Sequence, residues 1–387
     1  MNICRSCNSH QLKRIMSYGD MPLANGLLNL PTDDEQLFPL ELWFCEKCYL
    51  VQITETVDPE LLFQDYAYFS SCSDTVVQNA KELVDSVMES YNPTTVVEIA
   101  SNDGYLLQHY PEGVSITGID PAENVAKIAQ EKGINTIVDF FGLRLSEQMD
   151  IKANIIHANN VLAHVADLND FVAGVANLLS ENGSFIVEVP YLGDLIEYAL
   201  FDTVYHEHLC YFSVLSMMSL FGRHGLFINH VEHLAVHGGS IRVYASKIKG
   251  ASTPTQGLMS YEKMNGMYSF QYYRSFSKRA RELKYDIKIQ MSKLKKKSVA
   301  GVGASAKGNV LLNYCNIDLD FIGDNTEKKQ GLFTPGKRIP IVPMDEIVKR
   351  QPDYVMILAW NHADEIMAKL DGYNGKFIIP LPKVRIV

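Results

Sequence analysis

At about 150 residues per domain, the 387 residues of this chain predict two or three domains. Apolar residues at 47% and charged residues at 21% match a globular average and exclude disordered, collagen-like and coiled-coil classes. Lys and Arg total 35 against 45 Asp and Glu, a net charge of −10; this argues against nucleic acid and anionic membrane as partners, yet allows a local basic pocket for one phosphorylated small molecule. No stretch approaches the roughly 18 continuous apolar residues of a membrane span. The N-terminus, Met-Asn-Ile-Cys-Arg-Ser-Cys, has no apolar core of a secretory signal, so a cytoplasmic protein is expected.

The seven cysteines are Cys4, Cys7, Cys45, Cys48, Cys72, Cys210 and Cys315. The first four form two CxxC pairs within residues 1–75, a region of short apolar runs (Leu40–Phe44, Leu50–Ile53) with little helical periodicity. In a reducing compartment such pairs point to metal rather than to disulfides; a redox dithiol is the alternative. A CxxC knuckle brings two thiolates to one side of an ion, so two knuckles build the closed cage of structural zinc, with no coordination position left open for catalysis. A zinc ribbon is expected, with residues 17–39 bulging as a loop between the knuckles. The other three cysteines read as plain buried residues.

Over residues 76–256 strands and helices alternate. Thr94–Ala100 reads as a strand, Ser101-Asn102-Asp103-Gly104 as a polar turn before a helix, and Ile116–Asp120 as a second strand ending in an acid. This is the order of a doubly wound nucleotide-binding domain, whose acid holds ribose hydroxyls. The turn lacks GxGxxG. With one Gly it leaves less room for a pyrophosphate, so a ligand without phosphates fits better, and S-adenosylmethionine (SAM) is such a ligand. Asn154–Ala158 and Gly183–Val189 continue the sheet.

Residues 257–297 read as a helical connector: Phe276, Ala280, Leu283, Ile287, Met291 and Leu294 recur at spacings of three and four on an otherwise basic helix. A second α/β unit, 298–387, opens with Val299–Gly308, in which Ser305, Lys307 and Gly308 follow a Gly-rich strand end. Lys307 precedes its Gly and no GK[ST] follows, so this is not a Walker loop. Two Rossmann-like units in one chain suit an enzyme with two nucleotide-containing ligands.

Tyr205-His206-Glu207-His208 places four polar, titratable residues inside an apolar stretch, which is costly unless they serve a site. HEH lacks the HExxH spacing of a zinc protease. If the stretch is extended, His206 and His208 share a face with Glu207 opposite, and a His near its own pKa is a natural proton acceptor; a satisfied core cluster is the plainer reading. Asn160 and His164, four apart after the strand 154–158, would point the same way on a helix, with Asn160 otherwise an N-cap. Asp65–Ser71 offers Tyr66 and Tyr68 at an interdomain seam, as ligand contacts or as packing. His237-Gly238-Gly239-Ser240-Ile241-Arg242 is a turn into a strand, its Arg242 able to hold a phosphate bidentately or to sit at the surface.

The two CxxC pairs flanking Pro22-Leu23-Ala24-Asn25, then Asp65–Ser71, Glu98–Leu107, Tyr205–His208, His237–Ser240 and Gly303–Asn309 follow one another in an order that resembles the SAM-dependent sugar C-methyltransferases, over essentially the whole chain. These act on nucleotide-linked 4-keto-deoxysugars. The resemblance implies an α/β architecture of N-terminal zinc ribbon, central Rossmann-like SAM domain and C-terminal Rossmann-like sugar-nucleotide domain, with SAM and structural zinc as cofactors. It implies that His208 removes the proton from carbon 3 of the 4-keto sugar with Glu207 orienting the imidazole, while Tyr205, Tyr66 or Tyr68, Asn160 and His164 surround the sugar and its enolate. Glu98, Ala100, Ser101, Asn102, Asp103, Gly104 and Asn159 would line the SAM pocket, Asp120 and Pro121 its ribose side, and Phe140 or Phe141 the adenine. His237 and Arg242, with Ser305, Lys307, Asn309, Lys329 and Gln330, are the candidates for the nucleotide diphosphate, and Cys4, Cys7, Cys45 and Cys48 for the metal.

Two other readings compete. A two-Rossmann nucleotide-sugar dehydrogenase or epimerase should show GxGxxG or a Tyr-x-x-x-Lys pair after the relevant strands, and neither is there. An RNA methyltransferase gripping its substrate with the ribbon is disfavoured by the net charge of −10.

Overall fold

The computed structural model describes residues 2–58, 69–234 and 238–387; the candidates Tyr66, Tyr68 and His237 lie outside the described residues. Three sheets organise the chain. In the first, β1 (Leu12–Pro22) and β2 (Leu37–Cys45) pair antiparallel from Leu12↔Cys45 to Pro22↔Leu37, and β3 (Val51–Ile53) adds to β2. The loop expected over 17–39 is therefore shorter: residues 17–22 belong to β1 and 37–39 to β2, and residues 23–36 connect the hairpin. Leu40, Leu42 and Phe44 alternate into the core, a period of two that carries pairing well past the knuckle.

The central sheet contains β4 (Thr95–Ile99), β5 (Ser115–Ile119), β6 (Thr136–Ile137), β7 (Ala153–Asn159) and β8 (Leu179–Pro190), all parallel. The chain then makes β9 (Cys210–Tyr211), which leaves this sheet to pair with β3 of the first. It returns with β10 (Phe227–Leu234) and β11 (Ser240–Ser246), giving the order β6-β5-β4-β7-β8-β11-β10 with β11 antiparallel to β8. Side chains alternate between two layers: Val96, Ile155 and Ile186 pack under the helix Asp74–Tyr91, whereas Val97, Ile156 and Phe185 face the helices Leu168–Leu178 and Val214–Gly222. The helix expected directly after Ser101–Gly104 is absent. Ala100, Asn102 and Gly104 have φ of 56°, 50° and 78°, which no right-handed helix contains, and Pro111 follows closely, so only the short 3-10 turn Leu107–His109 forms.

The expected connector is two helices, Thr253–Met264 and Phe270–Lys293. Phe276, Ala280 and Ile287 are fully covered, and Tyr273 meets Phe44 of β2 at 4.6 Å between ring centroids, so this segment is part of the core. The third sheet has β12 (Val299–Val302), β13 (Ile322–Asp324), β14 (Ile341–Pro343), β15 (Tyr354–Ile357), β16 (Lys376–Ile379) and β17 (Arg385–Ile386) in the order β14-β13-β12-β15-β16-β17. Tyr18 of β1, Phe201 of the central unit and Tyr314 of the third meet as a trio, Tyr314 lying 5.1 Å from each of the others. No helix among the described residues is long and apolar enough to cross a membrane.

Strand order reverses between β4 and β7 and again between β12 and β15. In such sheets ligands bind in the crevice beyond the carboxyl ends of the strands at the reversal, and both reversals lie against the segment 199–209.

Candidate active site and zinc centre

The Sγ atoms of Cys4, Cys7, Cys45 and Cys48 all lie within 4.8 Å of one another, with Cys4–Cys48 at 3.4 Å and Cys7–Cys45 at 3.6 Å. A tetrahedral ZnS4 cage with bonds of about 2.3 Å has edges of about 3.8 Å, so the quartet fits zinc. Both knuckles are turns at the end of the β1–β2 hairpin, and β3 links them to the central unit.

The crevice beyond β4 and β7 holds the residues expected around SAM. Glu98 is buried and neither carboxylate oxygen has a hydrogen-bond partner; Ser101 Oγ, Asp103 Oδ1 and Asn159 Oδ1 are likewise buried and unpartnered among the described residues. Burial, with Asp120 and Asp103 nearby, holds the Glu98 carboxyl well above the usual carboxylate range. Such unmet groups are costly without a ligand, and their donor and acceptor character suits an amino-acid and ribose moiety. Asp120 receives the backbone N–H groups of Asn102 and Ala122, both at 2.9 Å, which fixes the 100–104 loop against β5. A Cβ on Gly104 would come within 2.2 Å of Ile134, and one on Gly118 within 2.4 Å of Ser101 Oγ, so both glycines are needed for the close approach of loop and strands. Ser71 Oγ donates to Asp103, and the Ser70 N–H donates to Asn102 Oδ1 at 2.9 Å. The stretch 69–72 thus closes one side of the crevice. Pro121, next to Asp120, is half-buried; Phe140 is 57% exposed, whereas Phe141 is committed to Phe171.

Tyr205–His208 forms a turn, closed by His208 N–H donating to Tyr205 O at 2.9 Å, and is not the extended strand that would align the two histidines. His206 turns toward the first sheet, its Nε2 3.3 Å from Pro39 O. His208 turns inward. Its Nδ1 lies 3.0 Å from Thr203 O, an acceptor only, so Nδ1 carries the proton and Nε2 presents its lone pair to Tyr205 Oη at 2.8 Å. Burial, then the neighbouring His164, keep His208 well below the usual imidazole range and hence neutral. The His164 ring stands edge-on at 4.9 Å between centroids, and burial lowers its pKa to about 4. Asn160 and His164 do not share an α-helix: Asn160 adopts φ 57° just after β7 and His164 ends the 3-10 turn Leu162–His164. Glu207 does not hold the His208 imidazole; Thr203 and Tyr205 do that, and Glu207 receives Asn25 Nδ2 at 3.1 Å. Burial raises the Glu207 carboxyl to about 6.

The third unit reaches the same turn. Lys307 Nζ lies 5.7 Å from the Trp360 ring centroid; burial lowers its pKa against the pull of Asp202, and its charge also acts on His208. Ser305 caps its helix by accepting the Gly308 N–H at 3.1 Å. Asn309 donates to Ala24 O at 2.7 Å, Lys329 to Ala304 O at 2.9 Å, and Gln330 to Asp324 O at 3.0 Å, contacts that tie loops together. Arg242 stands apart on β11, its side chain 13% exposed and paired with Glu188 at 2.9 Å and Glu232 at 3.2 Å, so a phosphate there would compete with two carboxylates. Sequence reasoning missed Asp202 and Trp360, linked by Trp360 Nε1 donating to Asp202 Oδ2 at 2.6 Å. An acid within the apolar run Ala199–Val204 was the available signal.

Family profiles match three consecutive stretches: a domain named for zinc binding over residues 4–63, a methyltransferase domain over 68–231, and a C-methyltransferase C-terminal domain over 235–382. The chain is 34% identical to the C-methyltransferase NovU of Streptomyces niveus, an alignment covering 99% of this chain and 96% of NovU. Among solved structures, a SAM-bound magnesium protoporphyrin IX methyltransferase from Synechocystis aligns at 14% identity over 50% of this chain and 99% of its own, with a TM-score of 0.37. The mitomycin 7-O-methyltransferase MmcR aligns at 15% over 46% of this chain and 56% of its own, also at 0.37; both scores are too low to bear on function. The full-length relationship to NovU, together with the three matched domains, shows that the chain belongs to the C-methyltransferase family and is a SAM-dependent enzyme with a zinc-binding domain.

Proposed function

We propose that the enzyme methylates carbon 3 of a nucleotide-linked 4-keto-6-deoxysugar, with His208 as the base. The observation that carries this reading is the neutral His208, its Nδ1 proton committed to Thr203 O and its Nε2 lone pair aimed at Tyr205. A carbon beside a ketone is acidic because its carbanion delocalises onto the oxygen, so the site must supply a base over the carbon and donors at the oxygen. His208 Nε2 takes the proton, and the Tyr205 hydroxyl, released from Nε2, donates to the enolate oxygen. His164 stands beside His208 and Asn160 follows β7 at the same sheet edge, and the Lys307 ammonium favours the developing negative charge. Glu98, Ser101, Asp103, Asn159 and Asp120 would hold SAM, which supplies an electrophilic methyl group when bound. The diphosphate would fall to the third unit, with Lys307 its closest cation and Ser305 at the start of the same helix; Arg242 is too well paired to be a strong candidate.

The test is incubation with SAM and a panel of nucleotide-linked 4-keto-6-deoxysugars, read by mass. A gain of one methyl on a panel member, with deuterium entering the carbon beside the ketone in deuterated water, is the expected result. No gain with any member sinks the substrate assignment.

A further inference from the structure

The loop between the zinc knuckles does more than join two strands. Residues 23–36 are fastened to the third unit at several points: Leu28 and Phe333 exchange backbone hydrogen bonds of 2.9 and 2.8 Å, Gly336 N–H donates to both Glu35 carboxylate oxygens at 2.9 Å, and Arg338 donates to Asp33 O at 3.0 Å. At its base, Asn309 Nδ2 reaches across 285 residues to Ala24 O. The next residue, Asn25, donates through Nδ2 to Glu207 Oε1 at 3.1 Å, and its backbone N–H serves the same carboxylate. Glu207 Oε2 is buried and has no partner among the described residues. The turn holding Glu207 is tied to the first sheet on both sides as well, by His206 to Pro39 O, by Ile53 N–H to Leu209 O at 3.0 Å, and by the β9–β3 pairing.

We infer that Asn25, supplied by the zinc-binding unit, is a positioning residue of the active site: it holds Glu207, and through that carboxylate the turn that aims His208, with Asn309 setting the height of the loop. Glu207 is one residue from His208, so a carboxylate pinned by two donors fixes the backbone from which the imidazole projects. Without the Asn25 amide the buried acid loses its side-chain donor and keeps only backbone N–H groups, which costs the hold on Oε1 and lets the turn shift. This inference rests on His208 being the base, and its test has one arm independent of substrate.

Hydrogen exchange of the peptide covering residues 203–210, read by mass spectrometry in Asn25→Ala with zinc content and SAM affinity measured alongside, should show protection lost by roughly tenfold or more while zinc stays at one per chain. Unchanged protection overturns the inference whatever the substrate proves to be. In the second arm kcat should fall about 10- to 100-fold, the range seen when the partner of a functional ligand is removed, with KM for SAM unchanged. Asn25→Ala combined with Glu207→Gln should be no slower than Glu207→Gln alone, because both act through one carboxylate; full additivity overturns the route through Glu207. Should Asn25→Ala fold poorly, Asn309→Ala loosens the loop from its other side and should lower kcat in the same sense, wild-type turnover counting against the inference. A wild-type enzyme that methylates no 4-keto sugar removes the substrate reading and leaves the exchange result to judge this one.

Discussion

Trp360 Nε1 donates a 2.6 Å hydrogen bond to Asp202 Oδ2, joining the strand-order reversal of the third sheet to the segment that runs into the Tyr205–His208 turn. Asp202 is fully buried and its other oxygen is unmet among the described residues; burial raises its carboxyl to about 6, with Lys307 and Trp360 opposing the rise. Trp360→Phe keeps the ring beside Lys307 but removes the donor. Loss of one hydrogen bond to a buried charged group costs about 1–3 kcal/mol, so the denaturant midpoint should drop at an unchanged slope, and the substrate KM should rise because Asp202 and Lys307 lose their common anchor. A midpoint and KM equal to wild type would mean that the indole contact carries no weight.

His208→Ala should abolish both methyl transfer and deuterium entry while SAM binding, followed by calorimetry, stays within about twofold. Tyr205→Phe removes the hydroxyl that faces Nε2 without removing the base, so a smaller loss is expected, on the order of 100-fold, the lower end of what a positioned acid or base contributes. Turnover near wild type in His208→Ala would take the base role away from it. The neutral His208 also bears on pH: since burial and His164 hold its pKa low, the rate should not fall between pH 8 and pH 6 through protonation of this group.

What could be read from the chain, and what could not, divides by the range of the interaction. The cysteine quartet, the strands at 94–100, 116–120 and 154–158 and the stripe Phe276–Ala280–Ile287 are local patterns, and all appear in the fold. The Tyr205–His208 cluster was visible as composition, but its conformation was not, since a turn that sends His206 to Pro39 and His208 to Thr203 depends on a partner 167 residues away. Arg242 read as a free cation because its partners Glu188 and Glu232 come from neighbouring strands. Asn309 looked like a phosphate ligand because nothing in its own neighbourhood announces Ala24. Asp202 was overlooked for the same reason, its partner Trp360 lying 158 residues on.

The zinc centre should matter to catalysis through the sheet that it stabilises. Structural zinc binds with folding free energy of order 10 kcal/mol, and here the folded sheet carries β3, which pairs with β9 directly after the catalytic turn. Chelation, or Cys48→Ser, should release zinc and abolish methyl transfer while the central domain still binds SAM with near-normal affinity, because the 100–104 loop is held by its own bonds to β5 and the central unit meets the first knuckle through its helices, where Asn169 and Arg223 donate to Ser6 O. Metal analysis with calorimetry on the same sample checks this; loss of SAM binding in parallel with zinc would mean that the two units do not fold separately.

Glu262 gives the stability curve a sign that differs from the common carboxylate case. It is fully buried, accepts the N–H groups of Val214 and Leu215 at 2.7 and 2.9 Å, and receives Tyr191 Oη at 3.1 Å, so it caps the helix Val214–Gly222 from a helix that belongs to the next segment. Burial outweighs these donors and raises its carboxyl to about 7 from 4.5. Between those two values the folded state binds more protons than the unfolded one, so the contribution of this group to stability falls as pH rises, and is lowest above pH 7. Glu262→Gln keeps an acceptor for one N–H and removes the ionisation. Compared with wild type, the variant should lose stability at pH 5, where the protonated acid still accepts and the amide fits less well, and should close that gap or reverse it at pH 8. Denaturant midpoints at the two pH values measure this directly; a gap that widens toward pH 8 would mean that Glu262 is held ionised by its donors and stabilises the fold as a charge.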